Sequence, residues 1–295
     1  MKTTENALLI ESSAPEKKVW MVGFFDVLGF SARVEKDGVD KVYDDYCKLL
    51  ENVLNKPGIE TAGMIAETFM GGTLFSMGGK VDVSYAYFSD TILLWLPFEP
   101  PYPKLFLQRC ADLMCEALLM GIPLRGAIAV GEGYMHKQTG IYLGQPIVDG
   151  ARLEAAQEQI GVGMATSVVN SLLIPSADPT QFIEYDIPIK KHLKESWPPI
   201  ALDWPRRWRD CNHGNLIQYL EKLRPDEELA STKYNNTIEF VKWSEAHNDW
   251  YECPEKRVDF KYLREVPHEE IARNPELFPD QWLQMRAHVR PISKL

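Results

Sequence analysis

The chain has 295 residues and a mass of 33.7 kDa; it is 45% apolar and 25% charged, with 19 Gly and 20 Pro. This composition excludes a collagenous, low-complexity or mostly disordered chain, and the length supports a core without a disulfide or metal staple. Forty-two acidic against thirty-two basic residues leave a net charge of -10, a field that repels a long nucleic-acid duplex but not a mononucleotide neutralised by divalent metal. The five cysteines (Cys47, Cys110, Cys115, Cys211, Cys253) are odd in number and show no C-x-x-C spacing, the pattern of reduced thiols in a cytoplasm. The longest apolar stretches, such as Thr91–Phe98, fall well short of the ~20 residues that span a bilayer. Residues 1–18 mix Glu11, Glu16, Lys17 and Lys18 with a short Ala7–Ile10 patch, which predicts a polar arm rather than a signal peptide.

Val19–Phe25 is an apolar run of strand length that ends at Asp26, with Leu28-Gly29-Phe30 following. From Val34 to Leu54 the apolar positions recur every three or four residues, predicting one helix. Gly71, Gly72, Gly78 and Gly79 then mark a looser segment. Val81–Phe88 and Thr91–Leu96 read as a hairpin with Ser89-Asp90 at its tip. A helix over about Lys104–Met120 is stopped by Gly121. Leu124–Gly131 is another strand, Gly140–Gly144 a turn, and Pro146 to about Gln159 a helix opened by its proline. Gly161–Ser167 is a last strand, with a short helix to Leu173. The order predicts an α+β layer of one mixed sheet with helices on a single face. Twelve of the twenty prolines and six of the eight tryptophans lie from Pro175 onward. With helical patterns near Cys211–Leu223 and Thr232–Ala246, this stretch is too apolar for a linker and is expected to pack back on the sheet or on a partner.

Asp26 and Asp90 carry the most weight for chemistry. If the first strand lies beside the hairpin, both acids reach the same end of the sheet. Paired aspartates with room for two hard cations are what phosphoryl or nucleotidyl transfer needs; the alternative is two acids that merely cap turns. Gly29 sits where a strand becomes a helix, so free N–H groups there form a phosphate cradle, or simply a turn requiring positive φ.

Phe24-Phe25-Asp26-Val27-Leu28-Gly29-Phe30-Ser31 resembles the first-strand motif of class III nucleotidyl cyclases, and Ser89-Asp90 resembles that family's second metal aspartate. Arg125-Gly126-Ala127-Ile128-Ala129-Val130-Gly131 resembles the following strand, and Gly144…Arg152-Leu153-Glu154 the stretch that usually reads G-x-x-V-N-x-A-x-R. The resemblance covers about residues 19–173. More narrowly, FFDVLGFS, FSDT, RGAIAVG and LGQPIVDGARLEAAQ, with KYNNT at 233–237, are similar to the bacterial pyrimidine cyclases of Pycsar antiphage defence.

This resemblance implies a ferredoxin-like, palm-type α+β fold: a cyclase domain over residues 19–174 and a Trp/Pro-rich extension over 175–295. It implies two Mn²⁺ or Mg²⁺ ions on Asp26, Val27 and Asp90, with the Gly29-Phe30-Ser31 turn against the triphosphate. Arg125, which begins a buried strand where a charge needs a partner, and Lys233, a solvated helix lysine unless the C-terminal stretch folds over the site, are further candidates for binding phosphate. Arg152 would steady the transition state from the other subunit of a homodimer with composite sites. The substrate would be UTP, or less readily CTP, and the product a cyclic monophosphate serving as a second messenger in the cytoplasm. Neither a nucleic-acid polymer nor a membrane would be a partner.

The chain also departs from the family. Val148 stands where the transition-state Asn is usual, so Arg152 either acts alone or pairs with Glu154 or Asp149 on the helix surface. The adenine-reading positions are Ala86 and Ile141, which lack side-chain hydrogen bonds and so discriminate against adenine. Ala86, Tyr87 and Tyr46 are then candidates for contacting a smaller base, unless the tyrosines belong to the core. Two other readings remain: a cyclase-like module without turnover that senses a nucleotide or scaffolds a partner, and a palm-type polymerase or diguanylate-forming enzyme. The acidic surface and the lack of a Gly-Gly-Asp/Glu-Glu-Phe tip disfavour the last.

Overall fold

The computed structural model describes residues 17–54, 59–61, 79–99, 102–137, 139–171, 178–193 and 197–251, with Lys256, Phe260 and Leu263. Most of the N-terminal arm, the segment of Gly71, Gly72 and Gly78, Cys253 and the end of the helix expected near Leu173 lie outside the described residues. No disulfide joins the cysteines within them.

Strand β1 (Lys18–Val27) leads into helices α1 (Phe30–Asp37) and α2 (Val39–Leu54), and β2 (Ile59–Thr61) and β3 (Gly79–Val81) pair separately. The hairpin β4 (Ser84–Phe88) and β5 (Thr91–Pro97), helix α3 (Tyr102–Leu119) and strand β6 (Leu124–His136) complete a β-α-β-β-α-β unit. In space the order is β4-β5-β1-β6, every neighbour antiparallel, which is the ferredoxin-like arrangement expected. Strand β7 (Ile141–Gly144), helix α4 (Gln145–Ala156), strand β8 (Gly161–Met164) and helix α5 (Thr166–Val169) follow; β8 runs parallel to β6. Beyond them, β9 (Phe182–Glu184) and β10 (Ile200–Leu202) extend the same sheet, and α6 (Trp204–Asp210), α7 (Leu216–Leu223) and α8 (Glu228–Ala246) pack around it.

Four expectations change. The strand expected over Gly161–Ser167 ends at Met164, gives way to α5, and is not the last, since β9 and β10 continue the sheet. The helix predicted from Val34 is broken at Gly38, where φ is +81°. The periodicity runs across the break because both pieces turn apolar positions to the same core, Val34 from α1 and Val42, Tyr46, Leu49, Leu50 and Val53 from α2. The segment 141–144 is a strand rather than a turn; it pairs with β6, and the chain reverses over Lys137–Gly140, whose ends share a hydrogen bond. Helices also lie on both faces of the sheet. Met21, Phe25 and Val27 belong to the same cluster as the residues of α2 and α3. The other face carries Val22, Leu93 and Trp95, and beside them Ala127 and Ala129 pack against Leu153 of α4. A Cβ on Gly150 of α4 would stand 3.0 Å from that of Phe24. A strand covered on both sides reads as a continuous apolar run, and Val19–Phe25 is such a run.

Gly121 ends α3 as predicted. Its φ is +68°, its N–H bonds the Leu118 carbonyl and that of Ile122 bonds Ala117, the paired bonds of a Schellman stop. In the C-terminal segment Trp204 and Trp208 are fully buried. The carboxylate of Asp203 caps α6, accepting from the Arg206 N–H at 3.2 Å and from the Ser244 hydroxyl at 2.5 Å. Burial pushes this carboxyl up to about 6 from an ordinary 3.8, with Ser244 and Arg209 pulling the other way. A raised carboxyl contributes stability that is full below the unfolded value and lost as pH climbs through the folded one. The stability of wild type relative to Asp203→Asn should therefore fall between pH 4 and 6, by about 3 kcal/mol in denaturant titrations. A difference that stays flat across that window would overturn this assignment.

Candidate active site

Asp26 sits one residue from the end of β1, opposite Thr91 of β5 and Arg125 of β6. Asp90 occupies the hairpin tip beside Ser89, which adopts φ +58°. The Val27 N–H donates to the Asp90 carbonyl at 2.9 Å, so the tip is tied to the strand end and the two aspartates share one end of the sheet. Burial raises the Asp26 carboxyl above its ordinary value; Arg125 opposes this, and the charge of Asp90 raises it further. Val27 is itself core, so only its main chain can face an ion.

Gly29 turns the chain into α1 with φ +76°, and no side chain caps the helix. A Cβ there would meet open space, and no capping side chain takes the N–H groups of the first turn. Ser31 at that turn is exposed, whereas Phe30 is half-buried and meets the Tyr46 ring edge-on at 6.2 Å. Tyr46 in turn stacks on Tyr87, with ring centroids 6.3 Å apart. Tyr46 is core, as one reading allowed, but its buried hydroxyl has no hydrogen-bond partner. Burial holds its phenol far above the ordinary range, helped by the charges of Asp90 and Asp26. The structure thus brings Tyr46 and Tyr87 together near the acids. Ala86 packs with Val22, Leu93 and Trp95 on the other face of the sheet.

Arg125 is almost wholly internal and bonded within the chain. Its Nε and Nη2 both lie 2.5 Å from Oε1 of Glu154, its Nη1 donates to the Gln157 carbonyl at 3.1 Å, and Asp26 is 3.5 Å away. Arg152, on the outer side of α4, is exposed and pairs with neither acid weighed for it. Glu154 is taken by Arg125, and Asp149 accepts from Gln145 at 2.8 Å. Val148 is exposed on the same helix. Lys233 lies half-buried on α8, and its charge reaches Asp26, as does that of Lys190. The α8 segment is fixed there because Thr237 Oγ1 accepts from the Ile160 N–H at 2.8 Å and Asn236 donates to the Glu158 carbonyl at 2.6 Å.

The sequence offers no role for Gln157 or Lys190, and offers Glu154 only as a surface partner of Arg152. The one signal for the Arg125–Glu154 pair is the rule that a buried arginine needs a partner, which does not say which acid supplies it.

Among the described residues no three His, Cys, Asp or Glu side chains gather into a metal cage. Two carboxylates on one sheet end nevertheless suit Mg²⁺ or Mn²⁺, which take one or two carboxylates and complete their shell with water and phosphate oxygens. The mutual repulsion of Asp26 and Asp90 is the charge imbalance that such a cation relieves.

No family profile and no curated protein matches the chain. Among solved structures it is similar to a bacterial light-regulated adenylyl cyclase, at 14% identity over 59% of this chain and 49% of that one, with a TM-score of 0.37. It is also similar to a class III adenylyl cyclase-like ATP-binding protein from Pseudomonas aeruginosa, at 9% identity over 61% and 40%, with a TM-score of 0.33. The chain spans about half, or less, of the length of these two structures. No helix among the described residues is long and apolar enough to cross a membrane.

Proposed function

We propose that the protein is a metal-dependent nucleotidyl cyclase that converts UTP, or less readily CTP, into the 3′,5′-cyclic monophosphate and pyrophosphate. The observation that carries this reading is the juxtaposition of Asp26 and Asp90 through the Val27–Asp90 hydrogen bond, beside the uncapped Gly29 turn. It is joined to the motif resemblance of residues 19–173. Asp26 and Asp90, with the main chain of Val27, would hold two divalent cations. When bound, such cations lower the pKa of the attacking hydroxyl and take up charge on the leaving pyrophosphate. The ribose 3′-oxygen attacks the α-phosphorus, the bond to the pyrophosphate oxygen breaks, and the hydroxyl proton leaves to solvent. The Gly29–Ser31 turn orients the phosphates through its N–H groups, and Lys233 adds positive charge from α8.

Arg152 supports a composite homodimer. It is exposed on α4, and exposed apolar side chains lie on the same helix and the strand before it: Val148 on α4, and Ile141 and Leu143 on β7. In this reading the product is a second messenger, made in the cytoplasm in response to phage.

The Tyr46–Tyr87 pair is the proposed base contact. An unpaired buried hydroxyl contributes nothing to the free protein, so Tyr46→Phe should leave thermal stability unchanged or higher. Tyr87, whose ring is exposed, is the member that can meet the base, and Tyr87→Ala should raise KM for the pyrimidine triphosphate about tenfold, the worth of one stacked base. An unchanged KM would remove the pair from the base subsite.

A nucleotide-sensing module without turnover is favoured by one feature, the commitment of Arg125 to Glu154 and Gln157. Incubation with Mn²⁺ and each of the four ribonucleoside triphosphates, followed by mass spectrometry, separates the readings. Cyclic UMP or cyclic CMP supports the enzyme; binding without a cyclic product supports the module.

A further inference from the structure

The geometry points to Glu154 as a positioning residue that holds Arg125 off the Asp26 carboxylate, an inference that rests on the metal role proposed for Asp26. Arg125 has two acidic neighbours at unequal distances. One oxygen of Glu154 lies 2.5 Å from two of its nitrogens, while the ion pair with Asp26 is longer, 3.5 Å from Nη2. The Gln157 carbonyl holds the far side of the guanidinium at 3.1 Å. Arg125 thus bonds α4 and only leans on β1.

Both members of the short pair are buried: Arg125 is 9% exposed and Glu154 6%. A buried guanidinium that loses its carboxylate seeks the next one. That carboxylate is Asp26, one small rotation away. An Arg125–Asp26 pair would occupy the oxygens a cation needs and cancel their charge. Glu154 therefore keeps Asp26 available and Arg125 in reserve. Because Glu154 is two residues from Arg152, the same bond sets the seating of the helix that carries Arg152.

The test is a Mn²⁺ titration of the full chain, with free Mn²⁺ read by electron paramagnetic resonance, so no turnover is required. Glu154→Gln should weaken Mn²⁺ binding by roughly 10- to 100-fold, the usual range for an outer-shell partner. Arg125→Gln should bind at least as tightly as wild type, since it removes the competing cation. The double variant should return close to wild type. Opposite signs in the two single variants are the signature; a merely structural pair would weaken binding in both. If Glu154→Gln does not fold, Arg125→Gln decides, and weaker binding there overturns the inference. Wild-type binding by Glu154→Gln, with binding lost in Asp26→Ala, overturns this inference alone. Unchanged binding in Asp26→Ala overturns it together with the metal role of Asp26.

Discussion

Asp26→Asn is expected to lower turnover of the preferred triphosphate by roughly 10³-fold, equivalent to about 4 kcal/mol of transition-state stabilisation. The substitution keeps the shape of the side chain and removes only its charge. Asp26 is only partly buried, and burial already disfavours its ionised form, so the folded state does not depend on that charge. Circular dichroism and thermal unfolding should match wild type while cyclic product disappears. The pairing with Asp90 makes a further demand: Asp90→Asn should fail in the same way, because one carboxylate does not hold two cations. If either variant turned over like wild type, the proposed chemistry would have to leave the Val27–Asp90 junction.

Arg152→Ala should cost roughly 10²- to 10³-fold in kcat, the usual effect of removing one group that meets developing charge. Its side chain is solvent-exposed and makes no hydrogen bond or ion pair among the described residues, so little stability should change. A stronger test is complementation. Asp26→Ala and Arg152→Ala subunits, mixed in equal amounts and allowed to exchange, should recover about a quarter of wild-type activity, since half the dimers are mixed and each retains one intact site. A mixture as inactive as its parents would refute shared sites.

The frame of the protein was legible where one local pattern had one physical cause. Val19–Phe25 read as a strand, Ser89-Asp90 as a hairpin tip and Gly121 as a helix stop because backbone geometry and apolar spacing leave few alternatives there. The break at Gly38 was hidden because α1 and α2 share one core face, so the apolar period continues through the interruption. β7 escaped because a four-residue strand between two glycines looks like a turn. Its pairing is visible only with β6 in place. The acids of the proposed site are candidates that the sequence alone offers, since carboxylates at strand and hairpin ends are local features. The partners of Arg125 could not: Glu154 and Gln157 reach it from 29 and 32 residues away, and nothing in the chain fixes that approach before α4 folds over the sheet. Likewise Ala86 and Tyr87 are neighbours in sequence but lie on opposite faces of a strand, where alternation separates them.

The attachment of α8 has a mechanical consequence. Asn236 and Thr237 grip the short loop between α4 and β8 through its main chain, so this helix from the last third of the chain acts as a strut. A load on α8 is shared between that loop and the bonds nearer its C-terminal end, Ser244 to Asp203 and Trp243 to the Glu184 carbonyl, and the share that reaches the loop passes on to the helix that carries Arg152 and Glu154. The strut therefore couples α8 mechanically to α4.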